Sequence, residues 1–188
     1  MWPVGTFRSR ALNGACSPNT TVYPQAVAEI RALNSDDWQD IRAIRLRSLV
    51  DAPDAFTSNY SHESAFDETK WRELATTGRW FVAVDDEMVG VAIGVDGWSG
   101  DPKKRGLVGM WVAPSHRRRG IARELLDQVK AWATMEGATK LSLGVRGGND
   151  GAKAAYLNMG MRSCGETMPE LDQQTSVIVV MECDLESG

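Results

Sequence analysis

The segment Arg117-Arg118-Arg119-Gly120-Ile121-Ala122 follows a β-rich run, Leu107–Val112, and opens an apolar face at helical spacing. A strand, a turn and a helix start in that order gather unpaired backbone N–H groups at one point, where the helix dipole adds positive potential. Such a point holds a phosphate. Gly120 lets the backbone come close to a ligand, and Ala122 keeps the next turn small. Arg117, Arg118, Arg119 and Arg123 surround the turn with enough positive charge to neutralise a polyphosphate. The sequence contains no Gly-Lys-Ser/Thr triplet and no G-x-G-x-x-G, so this is neither a Walker A loop nor a Rossmann turn. The competing reading of the arginines is a solvated basic turn, and the surrounding elements decide between the two.

Those elements are legible from periodicity and punctuation. Val27–Leu33 reads as a strand, and Asn34, Ser35 and Asp36 offer N-caps to a helix carrying Trp38, Ile41, Ile44 and Leu49. Asp51-Ala52-Pro53-Asp54-Ala55-Phe56 breaks that helix, a loop with Tyr60 and His62 follows, and Asp67–Thr76 forms a second helix. Trp80–Val84 and Met88–Val95 pair through the acidic turn Asp85-Asp86-Glu87, and a turn over Gly97–Arg105 leads into Leu107–Val112, which stops at Pro114. Ile121, Leu125, Leu126, Val129, Trp132 and Ala133 share one helical face that ends at Gly137. Lys140–Val145 is a strand, Ala152–Met159 a short helix, and the strands Met161–Glu166 and Ser176–Cys183 close the chain. The order is a mixed sheet with helices packed on it.

Composition narrows the function classes. With 188 residues the chain suits one domain, here 27–188, preceded by a flexible N-terminal extension over 1–26 that is rich in Pro, Gly and Ser. Lys plus Arg total 21 against 25 Asp plus Glu, so the net charge of −4 excludes a protein that coats nucleic acid and leaves any anion site local. Cys16, Cys164 and Cys183 are odd in number and widely spaced, which predicts neither a disulfide framework nor a metal site. The sequence has no bilayer-length apolar run and no secretory h-region, so no membrane partner is expected and a cytoplasmic location is.

Two separated motifs then resemble the GNAT superfamily of acetyl-coenzyme A-dependent N-acetyltransferases. Arg117 to Ala122 fits the family's Q/R-x-x-G-x-G/A loop; downstream, Asn149, Ala152, Tyr156, Gly160 and Met161 fit N-x-x-A-x-x-x-Y-x-x-x-G-F, with Met161 in place of Phe. The resemblance spans about Val27 to Leu185. It implies an α/β (α+β) fold whose mixed, mostly antiparallel central sheet of about seven strands splays in the middle and is flanked by about four helices. It also implies acetyl-CoA as cosubstrate and no metal. Met110, Trp111 and Val112 would hydrogen-bond the pantetheine arm, which would lie between Leu107–Val112 and Lys140–Val145. Arg117, Arg118, Arg119, Gly120, Ile121 and Ala122 would wrap the pyrophosphate, Asn149 would contact the pantetheine region, and Tyr156 would face the sulfur.

Acetyl transfer needs a neutral amine and a group that meets the departing thiolate. Tyr156 suits the second task, although a phenol near pKa 10 is a weaker acid than a thiol near 8.5, leaving full proton donation uphill by about 2 kcal/mol. Many family members carry an acid on or near the strand before the loop, but Leu107–Val112 has none; Asp96, Glu166 and a water relay remain open as the base. A lysine-like amine costs about 4.6 kcal/mol to deprotonate at pH 7 and an α-amino group only about 1.4, favouring a low-pKa acceptor. The acceptor pocket is expected from Ala52–Glu68, with Phe56, Tyr60 and His62, together with Trp98 and the Thr167–Gln174 turn. A small-molecule amine is the first expectation. A protein N-terminus or lysine is the second, and a non-catalytic acyl-CoA-binding module the third. The apolar strand Ser176–Cys183 admits a homodimer, though a buried strand explains the same run.

Overall fold

The structure, a computed structural model, describes residues 28–96, 100–170 and 173–185. Its elements run β1 (Glu29–Leu33), α1 (Trp38–Asp51), α2 (Tyr60–Ser64), α3 (Glu68–Thr77), β2 (Gly78–Asp85), β3 (Glu87–Val95), β4 (Lys104–Val112), α4 (Ile121–Met135), β5 (Lys140–Arg146), α5 (Asp150–Asn158), β6 (Arg162–Glu170) and β7 (Gln173–Asp184). The N-terminal extension, Cys16 and Trp98 lie outside the described residues.

Local sequence explains most boundaries. Asn34 accepts the Asp36 N–H at 2.8 Å while the Asp37 carboxylate accepts the Asn34 N–H at 2.9 Å, a reciprocal box that starts the turn leading into α1. The apolar face of α4 is wholly buried at Ile121, Leu125, Leu126, Val129 and Ala133. Its end is closed by the N–H groups of Gly137 and Ala138, which donate to the Thr134 and Ala133 carbonyls. Residues expected as a loop at Tyr60 and His62 instead form α2, because the Asn59 side chain accepts the His62 N–H at 2.9 Å and caps the turn. That turn brings the described α-helices to five, where about four were expected. The last hairpin is also longer than its apolar pattern, since β6 and β7 pair out to Glu170 and Gln173.

The seven strands form one sheet in the order β1-β2-β3-β4-β5-β7-β6. Every neighbouring pair is antiparallel except β4–β5. That parallel pair is registered only from Lys104↔Lys140 to Leu107↔Leu143. Beyond it, β4 continues along β3 to Val112↔Gly90 and β5 continues along β7 to Arg146↔Ile178. The two strands therefore keep their outer partners and lose each other, which opens the sheet in its middle. A bulge accompanies the opening: Val91 to Ile93 of β3 spans the longer stretch Trp111 to Val108 of β4, with Gly109 at φ +65°. A Cβ on Gly109 would stand 2.6 Å from Ile93 Cδ1, so any other residue there would meet backbone strain and have to displace the end of that side chain.

Successive residues of a strand face opposite sides of the sheet. Gly90 and Gly94 of β3 lie against Leu125 and Trp132 of α4, whereas Ile93 faces the cavity beside α3. The sheet is thus covered on both faces, and the opening between β4 and β5 lies between the covers. Among the described residues, no helix is long and apolar enough to cross a membrane.

Candidate active site

A cavity of about 690 Å³ begins at the opening of the sheet. The strand end Met110–Val112, the turn residues Arg117, Arg118 and Gly120, and Ile121 and Ala122 at the head of α4 form one wall; Asn149 and Tyr156 of the α5 segment form another. Of the cofactor contacts expected from the sequence, together with Tyr156, only Arg119 is missing from this lining. The volume lies within the range of cofactor sites.

The backbone of the turn takes a left-handed course into α4. Arg118 and Gly120 have φ of +62° and +88°, and the first bonds of α4 run from the Arg123 and Glu124 N–H groups to the Gly120 carbonyl. The N–H groups that precede them have no partner within the helix and converge at its positive end. A Cβ on Gly120 would meet only Glu124 Oε1, at 4.0 Å, so the space in front of Gly120 is open.

The arginine side chains behave differently from the sequence expectation. Arg117 donates from Nε to the Val112 carbonyl at 2.9 Å and from Nη2 to Asp51 Oδ2 at 2.8 Å. Arg119 donates to Asp85 Oδ2 at 3.1 Å, beside His116, whose Nε2 is 3.2 Å from the same oxygen. Arg123 donates to the Asn158 carbonyl at 2.7 Å. Two acids set apart in sequence, Asp51 and Asp85, thus anchor the ends of the turn. Arg118 alone of the four makes no hydrogen bond or ion pair with the described residues, and it is exposed. Arg117 and Arg119 brace the turn through Asp51 and Asp85, and Arg117, Arg118 and Arg123 line the large cavity.

Asp51, the last residue of α1, also accepts the Trp111 Nε1–H at 2.8 Å, tying α1, β4 and the turn together. Replacing it by Ala leaves that indole donor without a partner on a residue only 4% exposed. The expected cost is about 1–3 kcal/mol in a urea titration, and Asp51→Asn, which keeps an acceptor oxygen, loses less.

Asn149 caps α5 by accepting the Ala152 N–H at 3.1 Å, and its side-chain NH2 has no partner among the described residues. Tyr156 is the one buried residue of α5, and burial raises its phenol above the usual range. Its hydroxyl makes no hydrogen bond within the described residues, and the residue lines both the large cavity and a slot of about 80 Å³ between the separated strands. That slot is walled by Leu107–Met110, by Gly144–Arg146 and by Ala55 and Phe56.

A third cavity, about 340 Å³, lies on the far side of the bulge among α1, α2, α3 and β2–β4. It shares Phe56, Val108 and Gly109 with the slot. His62 lines it, as does Phe56, whereas Tyr60 faces a separate surface depression. Glu63, which no sequence pattern marked, is buried there and takes a two-point bond from Arg45 at 2.8 and 2.7 Å. The signal that was present is Arg45 itself, a charge four residues after Ile41 and four before Leu49 on the buried stripe of α1. The two acids considered as bases lie elsewhere: Asp96 is 75% exposed and 2.8 Å from Arg105, Glu166 is exposed on β6, and neither lines the three cavities.

Among the described residues, no three or more His, Cys, Asp or Glu side chains come together as a metal site. The Acetyltransferase (GNAT) family model matches residues 38–161. No protein of curated function matches the sequence. Among solved structures, an acetyltransferase of the GNAT family from Streptococcus pneumoniae superposes with a TM-score of 0.70 at 15% identity, covering 84% of this chain and 99% of its own. The yncA protein of Salmonella typhimurium, solved with its cofactor acetyl-CoA, gives 0.66 at 18% identity over 86% of this chain and 95% of its own. Nourseothricin acetyltransferase gives 0.53 at 28% identity over 58% of this chain and 66% of its own.

Proposed function

The chain belongs to the GNAT acetyltransferase family, and from that premise we propose that it moves an acetyl group from acetyl-CoA to a primary amine of a small molecule, by direct attack in a ternary complex. One observation carries the reading: the large cavity that begins at the phosphate-type turn runs into the slot containing Tyr156, and the slot meets a separate cavity across Phe56, Val108 and Gly109. Two substrates can therefore approach one point from opposite sides.

The residues present fit acetyl-CoA. The turn offers converging N–H groups and Arg118 to a pyrophosphate, and the inner edge of β4, without a β5 partner beyond Leu107, offers backbone groups to an amide-bearing arm. When bound, acetyl-CoA supplies an acyl group on a thiolate leaving group, so the net reaction exchanges a C–S for a C–N bond and moves one proton from nitrogen to sulfur. In this reading Tyr156 holds its proton for the departing sulfur. Both carboxylate oxygens of Glu63 are taken by Arg45, so in this reading the amine arrives neutral or gives its proton to water. An amine near pKa 8 then costs about 1.4 kcal/mol at pH 7.

The size of the acceptor cavity, about 340 Å³ and walled on several sides, favours a small amine over an extended peptide. The likeness to nourseothricin acetyltransferase points the same way. The test is release of free thiol from acetyl-CoA with a panel of small amines and a panel of peptides bearing free N-termini or lysines. Turnover confined to peptides overturns the small-molecule acceptor, and binding without turnover on either panel favours an acyl-CoA-binding module.

The pH dependence follows from Tyr156. Its raised pKa keeps the phenol protonated, so kcat/KM should climb as the acceptor amine loses its proton and show no descending limb below pH 10. A descending limb centred below pH 9 would assign the proton donor to a more acidic group.

A further inference from the structure

We propose that Phe56 sets the acyl-chain length of the donor, acting as the wall between the donor slot and the acceptor cavity; this rests on the acetyl-CoA reading above. Phe56 is the one residue common to the large cavity, the slot and the acceptor cavity. An acyl group carried along the slot towards the acceptor therefore ends against it. At about 80 Å³ the slot is far smaller than the cavities of about 690 and 340 Å³ that it adjoins. That is room for a short acyl group and little beyond it.

A wall discriminates only if it is held, and Phe56 is held from two directions. Its carbonyl accepts Arg146 Nη1 at 3.1 Å, and the same nitrogen binds the Asp54 carbonyl at 3.0 Å, so the end of β5 fixes the backbone over the opening. Its ring lies under the Arg45 guanidinium, 4.8 Å from centroid to Cζ. Arg45 in turn is fixed by Glu63, and the two side chains are only 12% and 8% exposed. Burying an ion pair costs desolvation that its attraction seldom repays, so the pair asks for a reason other than stability. Holding the ring supplies that reason: Glu63 positions Arg45, and Arg45 positions Phe56.

Against a fitted apolar wall, one methylene changes recognition by about 10- to 200-fold. The experiment is calorimetric titration of CoA, acetyl-CoA and butyryl-CoA into the wild type, Phe56→Ala and Phe56→Leu. In the wild type, butyryl-CoA should bind at least about tenfold more weakly than acetyl-CoA. Phe56→Ala should bring the two within about threefold, each affinity being read relative to that of CoA in the same variant, and Phe56→Leu should fall between. Glu63→Gln should move the ratio in the same direction by less. A purely structural role weakens all three ligands alike and leaves the ratio unmoved; an unchanged ratio in folded Phe56→Leu or Phe56→Ala overturns the proposal. Wild type that binds neither CoA nor acetyl-CoA overturns the donor reading itself, a result separate from an unchanged ratio.

Discussion

Gly120→Glu should abolish measurable binding of acetyl-CoA while leaving the fold intact. The position has φ +88°, where a side chain costs about 1–2 kcal/mol. The space ahead of Gly120 is open, so the new carboxylate has somewhere to go, and that space is the one a pyrophosphate would fill. Two like charges about 4 Å apart at an effective dielectric near 20 repel by about 4 kcal/mol, close to a thousandfold in affinity. Gly120→Ala separates the two causes. It carries the backbone strain without charge or reach, and its affinity should fall by about tenfold or less. Calorimetry on both variants, with circular dichroism to establish folding, checks the pair. Undiminished binding by Gly120→Glu would remove the turn from the cofactor site, and with it the alignment of the whole cavity.

The same turn shows why charge counted along a sequence overstates charge offered to a ligand. Four arginines within Arg117 to Arg123 look like a polyphosphate clamp, yet three are already bonded within the described residues. Asp51 lies 66 positions from Arg117 and Asp85 lies 34 from Arg119, so no local pattern could pair them. By contrast, the succession of strand, turn and helix start was legible, because the three are adjacent in the chain. At the start of α4 the N-cap is Gly120, which has no side chain to accept the first N–H groups of the helix, whereas a guanidinium reaches acceptors distant in the chain.

The fold divides along the same line. α4 was readable because its apolar positions repeat over several turns, and all of that face except the partly buried Trp132 is buried. The hairpin of β2 and β3 was readable because Asp86, at φ +60°, closes an acidic turn between two β-rich runs. α2 was not, since a helix of 5 residues held by one cap has no period to read. The parting of β4 from β5 after Leu107 and Leu143 depends on register, and so does the bulge at Gly109. These non-local features create the slot and border the cavity of about 340 Å³ beyond it. Phe56 and His62, which line the cavity beyond the slot, were named from the sequence, whereas Arg45 and Glu63 were not, because their pairing joins α1 to α2 across 18 positions.

Tyr156→Phe should lower kcat by about a hundredfold to ten-thousandfold, the span of general acid catalysis, with acetyl-CoA affinity changed by less than about threefold. The substitution removes one oxygen from a buried side chain and keeps the ring, so packing on α5 is preserved. The hydroxyl makes no hydrogen bond that the change would break among the described residues. Burial makes the phenol a still weaker acid than its ordinary pKa near 10, while a thiol leaves near 8.5. Early proton transfer to sulfur is therefore uphill by more than about 2 kcal/mol, and the hydroxyl acts first as a hydrogen-bond donor, giving up its proton only as charge accumulates on sulfur. Stability offers an independent check with a definite sign. A phenol whose pKa is raised on folding contributes stability that is full below pH 10 and is lost as pH climbs above it, because the unfolded chain then ionises and the folded one does not. Tyr156→Phe should abolish that part of the alkaline loss. A variant with wild-type kcat would reduce Tyr156 to a packing residue and pass the proton on sulfur to solvent.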